Sequence, residues 1–217
     1  MLGLFVLFFV FFTSDSVFTI ILAGILGYSL FELFKIKARR SIFAWMIFVM
    51  IFINLSLIHP IVNSSGRSFF FTALLISVFT DIFALISGKV LGKRFIYPSI
   101  SPNKTLEGTL SGLMIPSFLF IISGYLFIEF EILGSEVFSE FLVISQLIDS
   151  FGYLISFFII LISSLASISG DLLASKAKRL MGIKDFGNLL PGHGGVLDRI
   201  DSHIFCIPIF LIFYSLI

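Results

Sequence analysis

The chain has 217 residues, 58% of them hydrophobic and only 12% charged, with thirty Phe and a mean hydropathy of +1.14. A soluble domain carries about a quarter charged residues; here too little polar surface exists to coat a water-soluble core, and the composition is that of a polytopic membrane protein. The net charge of +1 favours no charged partner, and the single Cys206 excludes an intramolecular disulfide and a cysteine-based metal site.

About 20 apolar residues cross a bilayer core of about 30 Å. By that measure spans are predicted at 2–13, 17–34, 41–59, 68–91, 108–130, 150–172 and 203–217. The first and last are short, and the first reads as a half-span or tilted element. It reads less well as a cleaved leader, because no basic stretch precedes LGLFVLFFVFF and no small-residue cleavage site follows. The apolar segment 137–149 reads as an interfacial helix or an extension of the sixth span. The expected fold is therefore an all-α polytopic membrane protein of about seven transmembrane helices with catalytic cytoplasmic loops. Residues 1–67 form its amino-terminal helices, and 68–217 a core carrying loops 92–107 and 173–202.

Lys and Arg set the orientation. Thirteen of the fourteen basic residues fall between spans two and three, at or after the end of span four, and between spans six and seven; Arg67 alone falls on the other side. Those are alternate connections, so they share one face, the cytoplasmic one, with the amino terminus.

A charge at membrane depth costs at least about 2.5–3.5 kcal/mol and usually faces a bundle interior or polar cavity. Asp81, about thirteen residues into span four, and Asp171, closing span six, are such groups. If span six stays helical, Asp171, Ser175 and Lys178 share one face. Asp198 and Asp201 align likewise if span seven begins helically. Hard carboxylates converging on a cytoplasmic cavity suit Mg²⁺ bound together with substrate phosphates. In PGHGG, the glycines Gly192, Gly194 and Gly195 can expose successive N–H groups to anionic oxygens, and His193 can donate to phosphate or act as acid or base. No Walker or Rossmann string is present. In the other loop Pro98 and Pro102 bar a continuous helix, Ser101 or Thr105 can cap the next span, and Lys104 sits where a helix dipole adds to its pull on phosphate. Basic loops over carboxylates are what phosphoryl or nucleotidyl transfer to a lipid requires.

The stretch SKAKRLMGIKDFGNLLPGHGGVLDRIDS, residues 175–202, closely resembles the signature of phosphatidate cytidylyltransferases. Ser175, Lys178, Arg179, Lys184, Asp185, Pro191, His193, Gly194, Gly195, Asp198, Arg199 and Asp201 match at the family's spacing. Gly170–Asp171 and SPNKTLEG at 101–108 also resemble family elements. Ala177 stands where a larger apolar residue is usual.

The resemblance implies transfer of CMP from CTP to phosphatidate, with Mg²⁺ and a second cation such as K⁺. It implies metal binding by Asp171, Asp198 and Asp201. Phosphates fall to Lys178, Arg179, Lys184 and Arg199, with Asp185 and His193 also catalytic; the substrate pocket falls to Ser101, Lys104, Thr105, Glu107, Ser175, Gly194 and Gly195. Expected partners are CTP, phosphatidate, the bilayer of the inner membrane and a second copy of the chain, with no nucleic acid. A CTP-dependent polyprenol or phytol kinase, a related synthase acting on ether lipids and a transporter of an anionic solute are the alternatives. The Gly194–Asp201 block argues against the kinase, and the lack of a repeat against the transporter.

Overall fold

Apolar runs of this length must satisfy their own backbone groups in lipid, and a helix is the way a single segment does so. The computed structural model describes residues 13–36, 41–58, 64–130, 143–189 and 194–216. Seven helices are described: α1 (Asp15–Lys35), α2 (Ile42–Ser56), α3 (Ser64–Leu91), α4 (Leu106–Phe130), α5 (Ile144–Leu180), α6 (Leu197–Ile200) and α7 (His203–Tyr214). An isolated antiparallel bridge pairs Phe95 with Thr105. Helices α1, α3, α4 and α5 are long and apolar enough to cross a membrane; α2 and α7 are shorter apolar helices. The chain is thus an all-α polytopic membrane protein. Spans two to seven of the sequence reading each lie under a helix, and the first span, 2–13, lies outside the described residues.

Two boundaries differ from expectation. Helix α5 runs eight residues past the predicted end of span six, through DLLASKAKRL, whose Leu, Ala, Lys and Arg are strong helix formers. It stops at Gly182, in the left-handed region at φ 68°. There Ile183 N–H donates to Lys178 O at 3.0 Å and Gly182 N–H to Arg179 O at 3.1 Å, a Schellman termination. At its other end α5 is interrupted at Gly152 (φ 76°, ψ 167°), so 144–151 forms two turns set off from the main span. The described part of the 137–149 segment belongs to that short piece.

The bundle alternates in direction. At one end Arg67, at the start of α3, donates to Thr13 O at 2.7 Å, pairs with Asp15 at the start of α1 and covers the Phe18 ring at 4.7 Å. At the opposite end lie the basic connections. Helices α3, α4, α5 and α7 form the core, with α2 against α5 and α7 and α1 against α2. Lipid offers no hydrophobic gain for helix association, so small residues that let backbones approach become the contact. Gly108 and Gly112 of α4 face Ala84 and Gly88 of α3: a Cβ on Gly108 would stand 2.5 Å from Ala84 O, and one on Gly112 2.8 Å from Thr80 O. Polar cross-links add to this. Ser77 Oγ lies 2.8 Å from Ser167 Oγ and 2.7 Å from His203 Nδ1, and Asn54 Nδ2 donates to Ile204 O at 2.8 Å. Outward-facing Ile42, Phe52, Leu85, Val90 and Leu154 form the apolar exterior.

Candidate active site

The α3–α4 connection is a hairpin-like loop built by its own polar groups. Ile96 N–H donates to Lys104 O at 3.1 Å and Leu106 N–H to Arg94 O at 2.8 Å, with a turn between Tyr97 and Ser101. Thr105 Oγ1 accepts Gly108 N–H at 3.2 Å, capping α4 as its residue type predicts. Glu107 Oε2 accepts the N–H groups of Lys93 (3.0 Å) and Arg94 (3.2 Å), pinning the loop's first strand to α4. Thr105 and Glu107 therefore shape the loop and do not line the cavity below it, and Ser101 does not line it either. Lys104 does reach inward, its Nζ 2.6 Å from Asp171 Oδ2. Arg179 Nε donates to Ile100 O at 3.4 Å, joining α5 to this loop.

A polar cavity of about 320 Å³ opens at this end of the bundle, lined by Asp81, Asp171, Asp185, Asp198 and Asp201 together with Lys178, Arg199 and Ser202. The overrun of α5 is what delivers Lys178. Ser175 Oγ donates to Asp171 Oδ1 at 3.4 Å one turn below it, so the predicted stripe of Asp171, Ser175 and Lys178 exists. Lys178 Nζ is 2.8 Å from Asp198 Oδ1 and 3.8 Å from Asp201 Oδ2. The short helix α6 puts Asp198 and Asp201 on the side facing that ammonium. Gly170 admits the start of α7: a Cβ there would lie 2.7 Å from Asp201 O. Ser202 Oγ donates to Asp81 Oδ2 at 3.1 Å, tying the same turn to α3. Burial, then the neighbouring Asp171 carboxylate, push the Asp201 carboxyl up to about 8 against the pull of Lys178.

The glycine-rich segment has a different physical reason from the one its composition suggests. Gly195 N–H donates to Asp198 Oδ2 at 2.9 Å, as does Phe186 N–H at 2.8 Å. The next two N–H groups, of Val196 and Leu197, donate to Glu32 at 3.1 and 2.8 Å. These amides point at protein carboxylates. Gly194, at φ 83°, sits at the cavity edge beside Asp185 and Asp198. Lys184 is exposed and outside the lining; Pro191, Gly192 and His193 lie outside the described residues.

For a divalent cation the donor chemistry fits, being hard carboxylate oxygen. Among the described residues, however, no three carboxylate, imidazole or thiol groups form a ready-made cage. Mg²⁺ does not require such a cage, since it keeps waters and takes one or two carboxylates plus substrate phosphates. Asp198 takes three close contacts, from Lys178, Phe186 and Gly195, whereas Asp171 takes two, from Lys104 and Ser175, and Asp81 one, from Ser202.

Sequence reasoning assigned no role to Asp81 or Ser202 and passed over Glu32. The signal for Glu32 was present: a carboxylate near the end of an apolar helix, 3% exposed, is as costly as the one at Asp81.

The sequence as a whole, residues 1–217, matches the family model described as the cytidylyltransferase family. A phosphatidate cytidylyltransferase of Staphylococcus saprophyticus subsp. saprophyticus is 37% identical over 147 residues, which are 68% of this chain and 49% of that protein. One of Bacillus subtilis (strain 168) is 40% identical over 143 residues, 66% of this chain and 46% of the relative. The chain spans about half the length of the curated relatives it matches. With the match running from end to end, the chain belongs to the cytidylyltransferase family.

Proposed function

We propose that the chain transfers CMP from CTP to phosphatidate, giving CDP-diacylglycerol and pyrophosphate, at the cytoplasmic face of a bacterial cell membrane. The observation that carries this reading is the cavity where the carboxylates of α3, α5 and α6–α7 meet Lys178 and Arg199, at the end of an apolar bundle where a lipid phosphate arrives. The activity printed for the relatives supports it. The concentration of Lys and Arg at the cavity's end supports a cytoplasmic orientation.

In the reaction an oxygen of the lipid phosphate attacks the α-phosphorus of CTP. The P–O bond to the β-phosphate breaks, and pyrophosphate departs with the electron pair. No protein nucleophile is required. Lys178 and Arg199 offer positive charge to the triphosphate, and Lys104 reaches the cavity-lining Asp171 from the other loop. Asp81, Asp171 and Asp201 are the carboxylates that would hold Mg²⁺. When bound, that ion would neutralise charge developing on the phosphates. Asp198 holds Lys178 and the loop before α6 in place.

The test is label transfer by detergent-solubilised protein supplied with Mg²⁺, short-chain phosphatidate, an undecaprenol control, and CTP labelled at the α- or the γ-phosphate. Label from the α position is expected in phosphatidate-derived lipid. Lipid labelled from the γ position would mean a kinase instead, and transfer from neither position would refute both.

A further inference from the structure

We infer that Glu32 is a positioning residue of the site, supplied from α1 and lying outside the 175–202 signature. It is 3% exposed, yet no cationic side chain pairs with it in the described structure; its partners are backbone amides. Oε1 accepts Val196 N–H at 3.1 Å and Oε2 accepts Leu197 N–H at 2.8 Å, across 164 and 165 residues of sequence. Two glycines make room for it. A Cβ on Gly195 would lie 2.6 Å from both carboxylate oxygens, and one on Gly187 would run into Oε1. The chain thus spends two glycines from two loop segments on seating one carboxylate.

What that carboxylate fixes is the register of the next turn. Val196 and Leu197 open the segment carrying Asp198, Arg199 and Asp201. On the other side of the same segment Asp198 takes Gly195 and Phe186 N–H and pairs with Lys178. The turn is therefore clamped from behind by Glu32 and from the cavity side by Asp198. Removing the rear clamp leaves two N–H groups, one buried and one half-buried, unpaired and lets Asp198, Arg199 and Asp201 shift relative to Lys178. Displacements of about 1 Å cost about 10²-fold in rate when reacting groups must be held in register.

The inference rests on the proposed reaction for its kinetic arm only. Glu32→Gln keeps the size but turns one acceptor into an NH₂ that opposes an N–H donor. In the full chain in detergent, amide exchange of the peptide spanning 194–201 is expected to rise at least tenfold, with α3 and α4 protected as before. The kcat/KM for CTP is expected to fall about 10- to 100-fold with KM raised, which a smaller folded fraction would not produce. Glu32→Asp should recover part of the loss. A second arm uses the contact itself: Gly187→Ala should be harmful in the parent but much less so in a Glu32→Ala background, a non-additive cycle. Unchanged exchange at 194–201 in Glu32→Gln, exchange raised throughout the bundle, or an additive cycle would each overturn the inference. Exchange needs no substrate, so it decides the role of Glu32 even where the parent protein transfers no label, an outcome that counts against the proposed reaction instead.

Discussion

Replacing Lys178 by Met separates what the ammonium does for the fold from what it does for the reaction. Its Nζ stands 2.8 Å from Asp198 and 3.8 Å from Asp201, and the side chain is 13% exposed against 5% and 10% for the two carboxylates. At an effective dielectric near 20 the distance to Asp198 corresponds to about 6 kcal/mol of attraction before desolvation. Most of that is offset by taking the charges out of water, and removing one partner of such a buried group typically costs about 3–5 kcal/mol. For a chain of this length that loss lowers Tm by about 6–20 °C. The double variant Lys178→Met, Asp198→Asn removes the stranded charge and keeps a carbonyl oxygen to receive Gly195 and Phe186 N–H. Its thermal midpoint in detergent should return most of the way to the parent value. Label transfer from CTP should remain down by at least about 10²-fold in both, since the cation that meets the phosphates is gone in both. A double variant as unstable as the single one would refute the ion-pair account. Near-parental transfer by either would remove Lys178 from the chemistry.

Three further substitutions probe other parts of the argument. Gly112→Leu should lower the thermal midpoint by overpacking the α3–α4 contact, at about 1–3 kcal/mol, because even a Cβ there stands 2.8 Å from Ala84 Cβ and from Thr80 O; a parental midpoint would show the contact to be slack. Asp171→Asn and Asp201→Asn should raise the Mg²⁺ concentration needed for half-maximal transfer, while Asp198→Asn should lose turnover that added Mg²⁺ does not restore. The reverse pattern in a Mg²⁺ titration would exchange their roles. Lys35→Ala, at the exposed end of α1, should leave transfer within about twofold, since that charge only biases orientation; a larger drop would place it nearer the substrate.

The spans were legible because membrane insertion leaves so few options: length and apolar content decide it, and six predicted spans each lie under a described helix. That Lys178, Asp185, Asp198, Arg199 and Asp201 share one cavity was legible because these charged residues lie close together in sequence. Two things were not. Hydropathy ends span six at residue 172 and leaves the helix's continuation as a condition; the helix signal in DLLASKAKRL carries it to Leu180, and the glycine at 182 stops it. Charge ended the predicted span without ending the helix, and the difference decides that Lys178 rises from a rigid element. The partner of the Gly195 segment lies more than 160 residues away in sequence, and no local pattern connects a Glu in FELFK to a glycine in PGHGG.

That distant partner changes what the glycines imply about phosphate binding. A glycine-rich turn with free amides can cradle an anion through its backbone. Here the amides of Gly195, Val196 and Leu197 are committed to Asp198 and Glu32. The described part of the loop therefore has little backbone left to offer a triphosphate. Small residues serve to admit protein carboxylates, and those carboxylates fix the turn bearing Arg199 and face Lys178. In the proposed reaction, positive charge for the substrate comes from side chains on separate elements: Lys104 from the α3–α4 loop, Lys178 from α5 and Arg199 from α6. Lys104 can be replaced without touching the turn that Glu32 and Asp198 hold, whereas replacing Lys178 also strands Asp198. A site built this way loses substrate affinity in steps as its cations are replaced, but loses its geometry when either carboxylate clamp is removed.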